Sequence, residues 1–451
     1  MKVCVKSSNV IVKPSEPTWN GILELSELDQ TGTMMHVPTI YFYATSPQPP
    51  ESLMETLKSS LSQVLVHFYP MAGRLNWTTN NNTTTGCHLV LDCNSEGVIL
   101  IEAESDGVLS ELGDFYPQPD FDQLVPSADY YTAPPIQKMP LFIGQLTKFR
   151  CGGWSLGLAI SHVVSDGLGT SNFLHQWARL ARGKPLSVVP FIDREVLHQA
   201  HKDPLIHHMA VLEHCYYYSY YNFGGPPLII GESSNENEKK KETKECVLRL
   251  SKPQIETLKK VGGANYTRYE VITAHIWKCA CMARNHKADQ PTNLTMSVDI
   301  RKRMDPPLHN SYFGNAVIDV VTHGVSGEVI SMPLGQVARM IHETIDNVTP
   351  ECVTSAISFL KGVTRGRKEE LPFSGNPNLN VISWMSLPLH GLDFGWGEEI
   401  HMGPGNHTGD GDILILPSRE GDGSLRVALS FQTNHIDAFK KCFYQAAYMV
   451  T

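Results

Sequence analysis

The sequence lacks the marks of several common protein classes. Its ten cysteines include no Cys-x-x-Cys pair and it has no His-Glu-x-x-His, so neither a zinc site nor a thioredoxin-like site is expected. A net charge of −9 without a basic stripe disfavours nucleic acid as a partner. No apolar run reaches the ~18 residues of a membrane span, and the first residues show no apolar signal segment. We expect a cytoplasmic protein with reduced thiols, no metal and no membrane or nucleic-acid partner.

The composition is that of a globular protein with cores of normal size. Of its 451 residues, 41% are hydrophobic and 18% are charged. Strand-like and helical periodicities alternate along the chain, and both weaken before a stretch rich in lysine and glutamate at 236–242. We therefore predict a mixed α/β protein with domains at 1–190 and 246–451, joined by a crossover and mobile loop at 191–245. The cleft between the two halves is where a ligand is expected.

The clearest predicted elements surround one histidine. Alternating apolar residues predict a hairpin over 141–160, and its second strand leads directly to His162. An apolar face with steps of three and four residues predicts a helix over 169–182, with Gly183 just beyond its end. The same spacing predicts a helix over 52–68, which a Tyr-Pro pair terminates.

The residues after this hairpin are candidates for chemistry. His162 stands where a strand ends, and histidine is the side chain whose unperturbed pKa suits a general base near neutral pH. Asp166 and Gly167 follow at a turn. By residue type alone, a pair on a helix surface is the more ordinary interpretation of His162 and Asp166. A Gly-x-Ser-x-Gly pattern around Ser155 is a weak competitor, because its serine leads into a strand, whereas a nucleophile elbow requires a helix to follow.

Two stretches in the second half add polar residues. The sequence Asp-Phe-Gly-Trp-Gly at 393–397 also fits an ordinary tight turn with packed aromatic side chains. Arg301, at the end of a predicted strand, could be a surface charge or the partner of a buried acid. The glycines at 403–405 precede no helical pattern, so neither a phosphate loop nor a nicotinamide site is expected there.

Together these stretches resemble the BAHD acyl-CoA transferases of plants. His162-x-x-x-Asp166-Gly167 matches the first signature of that family, and 393–397 matches the second, in the right order. The resemblance runs nearly end to end. It implies two domains similar to chloramphenicol acetyltransferase, each a mixed β-sheet flanked by helices, with a long crossover and a channel between them. Further matching stretches are 69–74, 190–194, 299–301 and 312–315.

The resemblance also implies roles for the first signature. His162 would be the general base that deprotonates the acceptor, which then attacks the thioester of an acyl-CoA directly, with no acyl-enzyme. Asp166 and Gly167 would support the catalytic loop, with Asp166 paired to Arg301. Acyl-CoA would be a cosubstrate, no cofactor would be tightly bound, and the enzyme would be a monomer.

For the second signature the implied roles are less uniform. Asp393 is expected to be mainly structural, with a catalytic role also open. Trp396 is expected to offer its indole N–H to the developing oxyanion, and one such donor can contribute roughly 3 kcal/mol. Both residues are therefore candidates for the catalytic set.

Within the family the chain is most similar to spermidine hydroxycinnamoyltransferases, notably over 13–43. Shikimate and quinate transferases have an arginine where this chain has Ser386, and a fork-shaped cation suits a carboxylate. We expect His36, Ser383, Ser386 and the acidic Glu398 in the acceptor pocket. The prediction is N-acylation of spermidine by a hydroxycinnamoyl-CoA. The alternatives are O-acylation of shikimate, quinate or another alcohol, and a family member that binds acyl-CoA without turnover.

Overall fold

The computed structural model describes residues 1–31, 34–45, 50–78, 88–126, 128, 130, 135–199, 237–238, 240–362, 375–405 and 409–448. Most of the crossover predicted at 191–245 lies outside these residues, because 200–236 is not among them. Within the described part of the chain, no helix has both the length and the apolar character that crossing a membrane requires.

The strands form two large sheets and a small one. In chain order they are β1 (Val3–Val12), β2 (Ile22–Glu24), β3 (His36–Tyr43), β4 (Arg74–Thr78), β5 (His88–Asp92), β6 (Val98–Ser105), β7 (Phe142–Phe149), β8 (Trp154–Ser161), β9 (Thr243–Leu250), β10 (Pro291–Asp299), β11 (Val317–Val325), β12 (Leu379–Ser383), β13 (His401–Pro404), β14 (Asp412–Pro417) and β15 (Leu425–Gln432). The first six-stranded sheet has the order β1-β6-β7-β8-β3-β13, the second has β11-β10-β12-β14-β15-β9, and the small sheet has β2-β5-β4.

Both large sheets mix parallel and antiparallel pairs. In the first sheet β6 and β7 run parallel, whereas β7 and β8 form the antiparallel hairpin predicted from the sequence. In the second sheet β12 runs parallel to β10 and β14, and the outer pairs are antiparallel. The predicted α/β class, with two mixed sheets flanked by helices, is confirmed.

Helices cover the two sheets. They are α1 (Glu27–Thr31), α2 (Pro50–His67), α3 (Gly167–Ala181), α4 (Glu195–Gln199), α5 (Lys252–Gly262), α6 (Arg268–Ala283), α7 (Ser326–Ser331), α8 (Leu334–Asp346), α9 (Pro350–Gly362) and α10 (Ile436–Tyr448). Both α2 and α3 were expected from their apolar spacing. Beyond α3, Gly183 has a φ of +66°, the left-handed conformation that a glycine at this position adopts readily.

One strand departs from the division predicted from the sequence. β13 comes late in the chain, yet it pairs antiparallel with β3 and completes the first sheet. The residues before it also pack into the core of the first half, through Leu389, Leu392 and Phe394. The segment 387–405 therefore belongs structurally with the first half, although the sequence placed it in a domain spanning 246–451. A strand of only four residues is too short to show an alternating pattern that would predict this exchange.

Candidate active site

His162 lies immediately after β8, in a loop that leads into α3. Its backbone N–H donates to Met35 O at 3.0 Å, which ties the loop to the residue before β3. The side chain is partly exposed, but Nδ1 is buried and finds no hydrogen-bond partner among the described residues. The other ring nitrogen, Nε2, is therefore the one left to meet a substrate.

Asp166 begins α3 as its N-cap. Its Oδ1 accepts a hydrogen bond from Gly169 N at 3.0 Å, so the carboxylate satisfies one of the free amides at the helix start. The sequence pattern set the start of the helix two residues late and did not identify this cap. At Gly167, a Cβ atom would lie only 2.7 Å from Leu387 Cδ1, so a glycine allows the loop after β12 to approach closely.

The predicted pair between Asp166 and Arg301 is present. Arg301 Nη2 lies 2.9 Å from both carboxylate oxygens, and the two side chains are 1% and 2% exposed. Ala316 N donates to Asp166 Oδ2 at 3.0 Å, so both oxygens are satisfied. The pair joins the first half of the chain to the second. A buried pair of this kind is expensive to break from one side, because the remaining charge has no partner.

The loop at 162–166, which carries the proposed base His162 and is called the catalytic loop below, has three successive carbonyl groups held by side chains from distant parts of the chain. Asn315 Nδ2 donates to His162 O at 2.9 Å and to Val163 O at 3.2 Å. Arg194 Nη2 donates to Val164 O at 3.1 Å. These bonds fix the backbone from which the imidazole projects, so the position of His162 does not depend on the loop alone.

Asp29 in α1 holds these two donors in place. Its Oδ1 accepts from Asn315 N at 2.8 Å and from Asn315 Nδ2 at 2.9 Å, and its Oδ2 lies 3.4 Å from Arg194 Nε. Its side chain is fully buried. No role for Asp29 was expected from the sequence. A single acid in a short helix carries no recognisable signal, although Arg194 and Asn315 fall in stretches where the chain resembles its family.

The second signature is built around a different acid, at the far end of α3. Asp393 Oδ1 accepts from Gly395 N at 2.8 Å and from Gly397 N at 3.0 Å, and Arg182 Nη1 donates to Oδ2 at 3.2 Å. Desolvation opposes ionisation of Asp393, but the two amides and the guanidinium outweigh it and lower its pKa. Both glycines have φ near +105°, a region that other residues rarely adopt.

The lengths of α3 and of β3 both show that this signature lies far from His162. The 15 residues of α3 span about 22 Å, with Asp166 at one end and Arg182 at the other. Along β3, His36 pairs with Ser161 beside the catalytic loop, whereas Tyr43, about 23 Å further on, packs its ring against Trp396. The mainly structural role expected for Asp393 agrees with these lengths, whereas the catalytic role left open for it and the oxyanion role expected for Trp396 do not. Asp393 and Trp396 brace the end of α3, far from His162.

The residues expected in the acceptor pocket fall into two places. On the side of His162, His36 is buried opposite Ser161, with Nε2 hydrogen-bonded to Pro140 O at 2.8 Å. Ser383 ends β12, and Ser386 is exposed in the loop that follows.

Glu398 lies elsewhere. Ile400 N bonds to Phe42 O, which places the end of the second signature at the far end of β3. Glu398 is exposed there, so its assignment to the pocket is corrected by the same separation. Its neighbour Glu399 is buried and accepts from Leu392 N at 2.9 Å, which closes the loop.

Ser155, the competing nucleophile, does not stand at a turn between a strand and a helix. Ser155 lies inside β8, paired with Phe42, and is buried on a strand with no helix directly after it. Among the residues that the structure describes, no three His, Cys, Asp or Glu side chains are grouped so that they could hold a metal ion.

Comparison with known proteins places the chain in a family. A model of the transferase family matches residues 1–446. Hydroxycinnamoyl-CoA:piscidic acid hydroxycinnamoyltransferase of Actaea racemosa is 39% identical, over 98% of this chain and 99% of that protein. Shikimate O-hydroxycinnamoyltransferase of Nicotiana tabacum is 36% identical, over 98% and 100% respectively.

The fold has a solved counterpart as well. The crystal structure of vinorine synthase superposes with a TM-score of 0.73 at 23% identity, covering 97% of this chain and 96% of that one. At this identity the likeness shows the fold alone, so the family rests on the model match and the two relatives. The chain belongs to the transferase family of BAHD acyltransferases, enzymes that take their acyl group from a coenzyme A thioester.

Proposed function

We propose that this protein transfers a hydroxycinnamoyl group from its coenzyme A thioester to an amine nitrogen of spermidine. The observation that carries this choice of acceptor is Ser386. It is exposed, and its neighbour Leu387 packs against Gly167 at the start of α3, so the position borders the loop of His162. A small neutral side chain stands where an arginine is expected in transferases that act on shikimate or quinate.

The arginines around His162 do not replace that cation. Arg301 and Arg194 are both 2% exposed, and each lies against a carboxylate, Asp166 or Asp29. A guanidinium already engaged in this way is not available to bind the carboxylate of an acidic acceptor, which calls for a charge-assisted donor. A polyamine carries the opposite charge and needs none.

The reaction requires one group that takes up and returns a proton. His162 removes a proton from the amine through Nε2 while the nitrogen attacks the carbonyl carbon of the thioester. The C–N bond forms and the carbonyl oxygen becomes an oxyanion. When this intermediate collapses, the C–S bond breaks and coenzyme A leaves as a thiolate. The imidazolium then protonates the sulfur, which yields the amide and free coenzyme A without any acylated side chain.

The bonds that hold the catalytic loop serve this step. A base contributes fully only when it is aligned with the nucleophile, and errors of about 1 Å can cost about 10²-fold in rate. Asn315 and Arg194 fix the carbonyls of residues 162–164, and Asp166 fixes the start of α3. The backbone that carries the imidazole is therefore held in place before substrate arrives.

A direct assay tests the acceptor. Purified protein is incubated with caffeoyl- or feruloyl-CoA and either spermidine or shikimate, and the products are identified by mass spectrometry. We expect an amide of spermidine. An ester of shikimate without any amide would overturn the proposal. Ser386→Arg sharpens the test: a cation beside the pocket should raise KM for spermidine and leave KM for the acyl-CoA unchanged.

O-acylation is the second candidate, and the relatives support it. The two relatives reported above are named for piscidic acid and for shikimate as acceptors. The same base and the same attack on the thioester would serve a hydroxyl group. The assay with shikimate and quinate, run beside spermidine at equal concentrations, distinguishes the two by relative kcat/KM.

A further inference from the structure

A second carboxylate, Asp319, lies on a strand that starts beside the catalytic loop. Asn315 holds the carbonyl of His162, and Ala316 bonds to Asp166. β11 continues from there, and Asp319 follows Ala316 after about 10 Å of extended strand. The strand thus places an acid roughly the length of a short aliphatic amine from Ala316, which bonds to the loop that carries His162.

Strand alternation sets the direction in which Asp319 points. On β11, Ile318 and Val320 enter the core of the second half, and on β10 so do Met296 and Val298. Because successive side chains lie on opposite faces of a sheet, Asp319 lies on the face turned away from that core. Its partner across the ladder, Ser297, lies on the same face and donates its hydroxyl to Asp319 Oδ1 at 2.6 Å.

The carboxylate of Asp319 has no cationic partner among the described residues. It takes part in none of their ion pairs, and the hydroxyl of Ser297 is the only hydrogen bond they give its side chain. It is only partly exposed, and burial raises its pKa, while Ser297 and the nearby imidazole of His162 oppose that rise. A half-buried carboxylate without a counter-ion is costly to ionise, and a cationic ligand would offset that cost.

We infer that Asp319 binds a second, protonated nitrogen of the polyamine while another, neutral nitrogen of the same molecule reacts at His162. This rests on the proposed amine acceptor and specifies how it is recognised. The aminopropyl and aminobutyl arms of spermidine separate one nitrogen from the next by a short aliphatic chain. An ammonium at Asp319 would gain a charge-assisted hydrogen bond, and Ser297 would hold the receiving oxygen in place.

The test compares Asp319→Asn with wild type on two acceptors, spermidine and n-butylamine, using feruloyl-CoA as donor. The variant keeps the shape of the side chain and removes its charge. A hydrogen bond to a charged group is worth about 1.5–3 kcal/mol, so kcat/KM for spermidine should fall roughly 10- to 100-fold, mainly through KM. The value for n-butylamine, which has no second nitrogen, should stay within about twofold.

Two further variants complete the comparison. Ser297→Ala should shift KM for spermidine in the same direction by a smaller factor, because the carboxylate stays but is less well held. Asp289→Asn is the control. It removes an exposed acid two residues before β10, at the end of that strand away from Ser297, and should leave kcat and KM for spermidine unchanged. Calorimetric titration of each variant with spermidine gives the affinity without turnover, and the melting temperature confirms folding.

The outcomes separate this inference from the proposed function. If wild type acylates spermidine and Asp319→Asn does so with unchanged KM, the inference is wrong and the proposed function stands. If the variant loses kcat equally with every acceptor, Asp319 acts on His162 and not on the second nitrogen, which also overturns it. If wild type acylates only alcohols, the proposed function fails and the inference with it.

Discussion

The two ends of α3 carry loops of similar chemistry and different construction. Each has an aspartate paired with an arginine: Asp166 with Arg301 at the start, and Asp393 with Arg182 at the end. The first pair is 1% and 2% exposed, and it joins the two halves of the chain. The second is 23% and 27% exposed, and its acid otherwise bonds to amides of its own loop.

This difference shows why two signatures of equal clarity need not share a function. Asn315, Arg194 and Arg301 hold the loop of His162 from three separate parts of the chain, which is what an aligned general base needs. Asp393 holds a turn that closes on itself, and the aromatic residues of that turn pack into the core of the first half. We therefore propose that the start of the helix holds the catalytic base and that its end has a structural role.

Of the changes that compare the two ends of α3, removal of the proposed base His162 should have the largest effect on the rate of acyl transfer. His162→Ala should lower kcat by about 10²- to 10⁴-fold, the range attributed to a positioned general base. The melting temperature should change little, because the imidazole is partly exposed and Nδ1 has no partner among the described residues. A rate near that of wild type would show that another group takes the proton.

The two ion pairs should differ in their contribution to stability. Arg301→Ala leaves Asp166 buried without its partner, and we expect the free energy of unfolding to fall by about 3–5 kcal/mol. Arg182→Ala breaks the more exposed pair and should lose about 1 kcal/mol or less. Urea denaturation of both variants measures the two values. Equal losses would contradict the distinction drawn between the two ends.

Asp29, whose hydrogen bonds hold Asn315 and Arg194 against the catalytic loop, can be tested with a conservative substitution. Asp29→Asn replaces a buried acceptor of several hydrogen bonds with a side chain that can offer only one such oxygen. We expect a loss of about 1–3 kcal/mol in stability, together with a lower kcat at unchanged KM for acyl-CoA. Glu55→Gln, which alters an exposed pair with Lys58, is the control and should change neither quantity.

Acid titration should reveal the small contribution of Asp393. Its folded-state pKa is lowered despite its desolvation, so it stabilises the protein above the unfolded-state pKa of about 3.9. That contribution disappears as the pH falls through the lower folded-state value. The stability difference between wild type and Asp393→Asn should therefore be present at neutral pH and shrink below about pH 4. A difference independent of pH would show that the ionised carboxylate is not what stabilises the turn.

Local patterns predicted the elements around the site. The hairpin, α2, α3 and Gly183 follow from apolar spacing and from helix-end chemistry, which act over a few residues. The pairing of Asp166 with Arg301 came from resemblance to a family, since nothing local links residues so far apart.

What the sequence missed depends on contacts between remote segments. Asp29 acquires its role only when folding brings α1 against Arg194 and Asn315, and Asp319 only when β11 starts at the catalytic loop. β13 joins the first sheet although it comes late in the chain. We expected Glu398 and Trp396 near the reacting atoms, but a match to a family signature does not show how far those residues lie from His162.

The most direct test of the account is the single-turnover rate of acyl transfer in Trp396→Phe. The indole N–H of Trp396 is buried without a partner among the described residues, and the ring packs on Tyr43 and Phe394. Phenylalanine keeps an aromatic ring there and removes the N–H. If the second signature only supports α3, the rate should stay within about twofold of wild type, whereas loss of an oxyanion donor costs about 10²- to 10³-fold. A fall of that size in a folded variant would contradict the account.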